Sequence, residues 1–295
     1  MELLAHLNSL GLIKPQPFVI GGVQYETIMG SEAYGVGTDT SDKDIYGFCI
    51  PPKHYIFPHL DGKIIHFSSN IQNFEQFQQH HIQDKEAETR YDIVVFGIVK
   101  YFKLLMENNP NVLDSLFTRE ECCLHKTKIA NLVRENRRLF LSKKLWHSFR
   151  GYAYSQLHKL RIKKPDEHSN RYCMYQKYGY DIKFAYHVIR LINEAEQLLK
   201  FGDMDIMRDR EMLKSIRNGE WKLDDIQTWF YEREKKFQVY YDESKLPYAP
   251  DEEAITQLLM NCLEEYYGNL ENCFVKKDYY KEIVMKIKKI TDNIQ

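Results

Sequence analysis

The period of the hydrophobic pattern changes along this chain of 295 residues, and that change constrains the fold more than any other feature. Before about Asp114, short apolar runs bounded by turn residues indicate strands. The strand candidates are residues 23–29, 44–50 and 91–96. After that point apolar residues recur at helical spacing, most clearly over residues 126–154 and 180–200. The pattern predicts an α+β fold, in which a small mixed sheet with flanking helices precedes an all-helical domain.

No linker rich in Gly, Ser or Pro separates the two parts. We therefore predict a first domain over residues 1–125 that packs closely against a helical domain over residues 126–295. In the first part, residues 18–20 and 23–29 are predicted to pair as a hairpin, because Gly21-Gly22 between them suits a tight turn. The His-rich segment 54–81 has no pattern that assigns it, and His80-His81 within it is interpreted as a loop feature.

The bulk composition argues against several classes of function. The formal net charge is −1, so only a local basic face could serve a nucleic acid. None of the six cysteines forms a C-x-x-C pair, which argues against a zinc knuckle and for reduced thiols. The sequence has neither an apolar stretch of membrane-spanning length nor a signal-like start. We expect a soluble, cytoplasmic protein without a membrane partner, whose oligomeric state the sequence leaves open.

Two aspartates stand two residues apart where the second strand candidate begins. Asp42 and Asp44 would point to the same face of a strand, where like charges repel unless a cation lies between them. Magnesium takes oxygen ligands and is commonly bound by one or two carboxylates together with substrate phosphates. The pair therefore predicts a seat for Mg²⁺ (or Mn²⁺). The alternative is a pair of solvated turn residues, which would explain most isolated D-x-D pairs.

Calcium is a poor candidate for this seat. An EF-hand loop requires a glutamate at its twelfth position. Counting from Asp42 gives Lys53 at that position, and counting from Asp39 gives Ile50. The spacing therefore argues against a calcium loop.

A Gly-Ser pair upstream and a later acid complete the constellation. Gly30 lets the backbone approach a phosphate, and the Ser31 hydroxyl can donate a further hydrogen bond. A two-metal phosphoryl-transfer site requires a third carboxylate. Asp92 is the best candidate, because an acid beside an apolar strand is costly unless it is paired or metal-bound. An exposed position at the strand start is the alternative for Asp92, and Asp114 is a weaker competitor.

The block from Gly30 to Phe48, GSEAYGVGTDTSDKDIYGF, resembles the active-site motif of the DNA polymerase β nucleotidyltransferase superfamily. It is most similar to bacterial and phage predicted nucleotidyltransferases, some of which are associated with RNA-repair genes. Further marks of the resemblance run to about residue 255: Asn109-Pro110-Asn111, Lys177-Tyr178-Gly179-Tyr180-Asp181, Ile216-Arg217-Asn218-Gly219-Glu220 and Leu246-Pro247. The resemblance implies Asp42, Asp44 and Asp92 as metal ligands and Gly30 and Ser31 on the triphosphate of an NTP.

A basic stripe on a later helix offers a second contact for the phosphates. Lys183, His187 and Arg190 are spaced so that they fall on one helix face, beside an apolar face that anchors the helix. Such a stripe suits the β- and γ-phosphates of a nucleotide. Tyr180 could stack on the base or line the cleft. The alternative is a solvated face whose charges pair with nearby acids, which is the usual fate of charges on helices.

Three hypotheses follow from these residues. The first is an enzyme that moves a nucleoside monophosphate from an NTP to an acceptor hydroxyl. A basic run that includes Arg137, Arg138 and Lys144 favours an RNA 3′ end as the acceptor. A protein hydroxyl and a small molecule are the alternatives. The second is a non-catalytic nucleotide- or partner-binding module on the same fold. The third and weakest is a metal-dependent phosphodiesterase.

Overall fold

The computed structural model describes residues 3–38, 41–57, 74–168, 170–268 and 287–288. Its described strands are β1 Val23–Met29, β2 Lys43–Cys49, β3 Gln76–Asp84, β4 Thr89–Gly97 and β5 Cys123–Lys126. They form one sheet in the order β3-β4-β2-β1-β5. The pairing of β2 with β4 is parallel and the other pairings are antiparallel, so the sheet is mixed. The predicted α+β class is confirmed.

Helices flank this sheet and continue after it. The described α-helices are α1 Leu3–Ser9, α2 Pro17–Gly22, α3 Gly30–Ala33, α4 Lys53–Ile56, α5 Ile98–Met106, α6 Pro110–Phe117, α7 Lys128–Glu135, α8 Lys144–Ile162, α9 Asn170–Tyr178, α10 Ile182–Phe201, α11 Arg210–Arg217, α12 Leu223–Glu243 and α13 Glu252–Tyr267. In the part of the chain described here, no helix is both long and apolar enough to cross a membrane.

The parallel register of β2 and β4 fixes the position of the acids. Asp44 on β2 lies directly opposite Asp92 on β4, and the pairing continues along both strands to Cys49 and Gly97. Because side chains alternate along a strand, residues two positions apart share a face with their cross-strand neighbours. The pairing of β2 with β4 therefore brings together two acids, Asp44 and Asp92, that are nearly fifty positions apart in sequence.

The predicted hairpin near the N-terminus is wrong. Residues 17–22 form the helix α2, which leads directly into β1 at Val23. Pro17 occupies the first turn of α2, where its fixed φ angle and missing N–H are tolerated. Gly22 serves close packing rather than a turn, since a Cβ there would lie 2.5 Å from the carbonyl oxygen of Ile50.

The long helix predicted over residues 126–154 is also wrong, because the chain is interrupted twice there. Residues 123–126 form the edge strand β5, which pairs with β1. The helix α7 begins only after Thr127, whose side chain accepts a hydrogen bond from the N–H of Ala130. A 3₁₀ turn over Arg137–Phe140 then separates α7 from α8. The sheet thus receives its last strand at the predicted boundary between residues 125 and 126, and the division into two domains stays a prediction.

The helix α10 is the central element of the helical part. It packs against α8, α12 and α11, and most of its residues are buried. Asp181 caps its start by accepting a hydrogen bond from the N–H of Lys183, and Gly202 ends it in the left-handed conformation at φ +60°. A helix buried on most sides has little freedom to shift, so its first turn is held in place against the sheet.

Substitution of Gly47 tests how closely the strands pack at the centre of the sheet. A Cβ at Gly47 would overlap the backbone carbonyl oxygen of Tyr25 on β1, so a side chain must push two paired strands apart. We expect Gly47→Ala to lower the free energy of unfolding by about 1–3 kcal/mol in urea denaturation. Gly151→Ala is the matched control, because Gly151 lies in α8 with open space around it. This control should stabilise the protein by about 0.8 kcal/mol. Equal stability of Gly47→Ala and wild-type protein would contradict the packing described here.

Candidate active site

The turn after β1 places a glycine against one of the paired acids. Gly30 has φ +64°, in the left-handed region that favours glycine, and it begins the short helix α3. A Cβ on Gly30 would overlap the Oδ2 atom of Asp44. A side chain at position 30 would therefore have to adopt a strained φ and displace the Asp44 carboxylate from this turn. The adjacent Ser31 follows in the same turn, so Asp44 and the Gly-Ser pair form one local unit.

The three predicted acids are electrostatically coupled. Burial is the largest cause that raises the pKa of Asp44, and the negative charges of Asp92 and Asp42 raise it further. Interactions with Lys183 and His80 act in the opposite direction. Asp42 and Asp92 therefore each lie within electrostatic range of Asp44.

The residues present fit a hard divalent ion. Carboxylate oxygens are the donors that Mg²⁺ and Mn²⁺ prefer, and a cation would relieve the repulsion that raises the pKa of Asp44. Among the described residues, no group of three or more His, Cys, Asp and Glu is arranged so that it could hold a metal ion by itself. Magnesium commonly takes its remaining ligands from water and substrate phosphates, so an incomplete protein shell suits it.

Two histidines contact the carboxylate of Asp92. Sequence reasoning did not predict this interaction. The N–H of His81 donates a 2.7 Å hydrogen bond to Oδ1 of Asp92, and Nδ1 of His80 lies 3.5 Å from Oδ2. The β3–β4 register shifts between Gln79 and Ile82, and His81 has φ +56° within that bulge. The interpretation of His80-His81 as a loop feature is therefore wrong. A β-bulge changes the direction in which nearby side chains point. Its position cannot be predicted from the alternation of apolar and polar residues along the sequence.

Arg90 is a second residue that sequence reasoning missed. It stands two positions before Asp92 on β4, so both share one face of the strand. Its Nη1 atom lies 3.5 Å from Oδ1 of Asp42, and its side chain is 51% exposed. The signal that could have found it is the same spacing of two that identified Asp42 with Asp44. Arg90 places a positive charge beside the acids and open to solvent.

A polar cavity adjoins this group. Its volume is about 830 Å³. It is lined by Glu32, Gly35, Gly37, Thr38, Ser41, Asp42, Lys43, Gln83, Glu88, Thr89 and Arg90. Acids, bases and hydroxyl groups are mixed on its walls, so it suits a polar ligand.

The start of α10 lies at the same site, whereas the rest of the predicted basic stripe does not. Lys183 is exposed in the first turn, and its charge is the largest influence that lowers the pKa of Asp44. His187 is half-buried, and its pKa is well below the usual value because of burial and then the charges of Arg190 and Lys183. His187 is therefore neutral at physiological pH.

Two of the predicted nucleotide contacts, Arg190 and Tyr180, are buried. Arg190 is only 2% exposed, and its guanidinium contacts Asp114, Glu194 and the hydroxyl of Tyr34 rather than solvent. The ring of Tyr180 is also 2% exposed, and its hydroxyl donates a 2.6 Å hydrogen bond to the carbonyl oxygen of Trp221. Both side chains are buried against these partners. Helical spacing could not show how deeply α10 is buried.

The sheet, the Gly-Ser turn and the strand-borne acids define the class of DNA polymerase β superfamily nucleotidyltransferases. The profile of the RNA repair pathway DNA polymerase beta family matches residues 11–247. This match spans most of the chain, so the protein belongs to that family.

Individual relatives are more distant. The chain is 26% identical over 141 residues to an uncharacterized 38.9 kDa protein from the nrdC–mobD intergenic region of Enterobacteria phage T4. That match covers 47% of this chain and 38% of the phage protein, so it spans well under half of the relative's length. A nucleotidyltransferase-like protein from Exiguobacterium sibiricum has a solved structure with 9% identity and a TM-score of 0.28, covering 88% of this chain and 74% of that one.

Ionisation of the buried Asp44 carboxyl lowers the free energy of unfolding. Because its pKa is raised in the folded protein, the ionised carboxylate opposes folding at neutral pH. We expect Asp44→Asn to raise the free energy of unfolding by about 1 kcal/mol near neutral pH in the presence of EDTA. The gain should vanish below the unfolded-state pKa, because the wild-type carboxyl is then protonated in both states.

Urea unfolding at about pH 7.5 and about pH 3 measures this difference. Asp224→Asn is the matched control, because Asp224 is exposed at the start of α12 and should give no such pH-dependent gain. An Asp44→Asn variant that is less stable than wild type at neutral pH would show that the carboxylate is compensated in the metal-free protein.

Proposed function

We propose that this protein transfers a nucleoside monophosphate from an NTP to an acceptor hydroxyl in a metal-dependent reaction. The observation that carries the proposal is the convergence of Asp42, Asp44 and Asp92 beside the Gly30-Ser31 turn and Lys183. Membership in the nucleotidyltransferase family supports the same reaction class. The new bond joins the acceptor oxygen to the α-phosphorus, and the bond from that phosphorus to the pyrophosphate oxygen breaks.

The acids have separate roles in this proposal. Asp42 and Asp44 would hold Mg²⁺ (or Mn²⁺), and Asp92 would bind the catalytic ion and help to remove the proton of the acceptor hydroxyl. The bound ions would supply Lewis-acid stabilisation of charge on the phosphates. His81 and His80 orient the Asp92 carboxylate through the contacts at both of its oxygens.

The phosphates would be bound at the other side of Asp44. Gly30 and Ser31 offer a close backbone approach and a hydroxyl donor, and Lys183 offers an exposed positive charge. His187 adds no charge to this set, because it is neutral. Arg190 and Tyr180 are left out of the proposed nucleotide contacts, since both are buried away from it.

An RNA 3′ end is the acceptor that we favour. The support is the description of the family as part of an RNA repair pathway. The basic run that includes Arg137, Arg138 and Lys144 gives less support, because Arg137 and Arg138 both pair with Asp203. A protein hydroxyl or a small molecule remains the alternative. The cytoplasmic location likewise stays a prediction.

Labelled NTPs test the enzyme hypothesis. Purified protein with Mg²⁺, each α-labelled NTP and mixed RNA should transfer label to RNA and release pyrophosphate. We expect Asp42→Asn and Asp44→Asn each to reduce the transfer rate about a hundredfold or more, since each removes a metal ligand. The exposed Asp224→Asn variant should keep the wild-type rate, because it lies at the start of α12.

The same reactions separate the alternatives. Label on the protein itself would replace RNA by a protein hydroxyl as acceptor. Release of free nucleotide without transfer would indicate a phosphodiesterase. Binding of NTP without any aspartate-dependent product would indicate the non-catalytic module and contradict the proposed enzyme.

A further inference from the structure

A cluster of charged and polar side chains lies buried between the sheet and the helical part. Arg190 donates hydrogen bonds of 3.0 and 3.1 Å to the two carboxylate oxygens of Glu194 and also contacts the carboxylate of Asp114. The hydroxyl of Tyr34 accepts a 2.6 Å hydrogen bond from Arg190 and donates one of 2.7 Å to Asp114. All four side chains are buried, so the cluster is shielded from solvent.

The four residues come from three separate elements. Tyr34 follows α3 directly, Asp114 lies on α6, and Arg190 and Glu194 lie one turn apart on α10. The Arg190 guanidinium also stacks over the Tyr34 ring, 4.7 Å from its centroid. All of these hydrogen bonds run through the Nη1 atom of Arg190, so one end of the guanidinium joins Tyr34, Asp114 and Glu194. The cluster therefore fixes α10 relative to the end of α3.

Both connected elements end at the proposed nucleotide site. The N–H of Tyr34 donates a 3.2 Å hydrogen bond to the carbonyl oxygen of Gly30, so a shift of Tyr34 moves the Gly30-Ser31 turn. Lys183 lies seven residues before Arg190, which is about 10 Å along the continuous helix α10. Fixing Arg190 against Tyr34 thus fixes Lys183 relative to Ser31.

A cluster of this kind is an inefficient way to stabilise a core. Removing charges from water is costly, and apolar residues of similar volume often give equal or greater stability. Two acids share one guanidinium here, and burial raises the pKa of both Asp114 and Glu194. A role in geometry explains such an arrangement better than a role in stability.

We propose that the cluster of Tyr34, Asp114, Arg190 and Glu194 is a positioning device that sets the spacing between Ser31 and Lys183 for the triphosphate. This inference rests on the proposed function, in which both residues bind the phosphates. Tyr34 and Arg190 act through other residues and touch no substrate.

Binding of magnesium tripolyphosphate tests the spacing without depending on a base preference. We expect Tyr34→Phe to weaken this binding about tenfold by calorimetry, because it releases the turn while keeping the ring under the guanidinium. Arg190→Lys should show the same effect, because it keeps the charge and loses the planar group that stacks on the Tyr34 ring. Tyr186→Phe is the matched control. Its ring lies 6.2 Å from that of Tyr34, and its buried hydroxyl has no hydrogen-bond partner among the described residues, so binding should change less than about twofold.

A double-mutant cycle separates positioning from general destabilisation. If Tyr34 acts by aligning Ser31 with Lys183, then Tyr34→Phe should have little further effect in a Lys183→Met background. Additive losses would overturn the inference, as would unchanged binding by Tyr34→Phe. Thermal unfolding of every variant shows that the binding is measured on folded protein. A wild-type protein that binds no magnesium tripolyphosphate would contradict both the proposed function and this inference, whereas wild-type binding with an inert Tyr34→Phe overturns the inference alone.

Discussion

The site depends on the contact between Gly30 and the carboxylate of Asp44. Any other residue at position 30 would place a Cβ against the Oδ2 atom of Asp44 and would have to hold a left-handed φ, so it would displace this carboxylate. The parallel register then places Asp92 opposite Asp44, and Arg90, two positions before Asp92 on β4, lies 3.5 Å from Asp42, which immediately precedes β2. Three acids thus lie together at a free-energy cost that a divalent cation would offset.

The helical part contributes to this site through one element. The helix α10 is buried over most of its length, yet its first turn brings the exposed Lys183 to Asp44. The ionic cluster around Arg190 joins that helix to the end of α3, so the two sides of the proposed phosphate contact are linked inside the protein. The chain therefore builds its site between the sheet and the helices rather than within either.

Much of this arrangement could be predicted from the sequence, because strand alternation is a local rule. The strands that bear Asp42, Asp44 and Asp92 and the turn at Gly30 follow from short apolar runs and from spacing. The errors arise where tertiary contacts decide. The bulge at His80-His81 exists only in the pairing of β3 with β4, and the burial of Arg190 depends on neighbours that helical spacing does not reveal. The segment 58–73, within the unassigned His-rich stretch, lies outside the described residues.

A crystal structure with Mn²⁺ and a non-hydrolysable NTP tests the central claim most directly. Anomalous scattering locates Mn²⁺ independently of the protein density. The expected result is Mn²⁺ bound by Asp42 and Asp44, with Asp92 as a further ligand and the triphosphate against Ser31 and Lys183. Mn²⁺ bound away from these three carboxylates, or a triphosphate bound without contact to the Gly30-Ser31 turn, would contradict it.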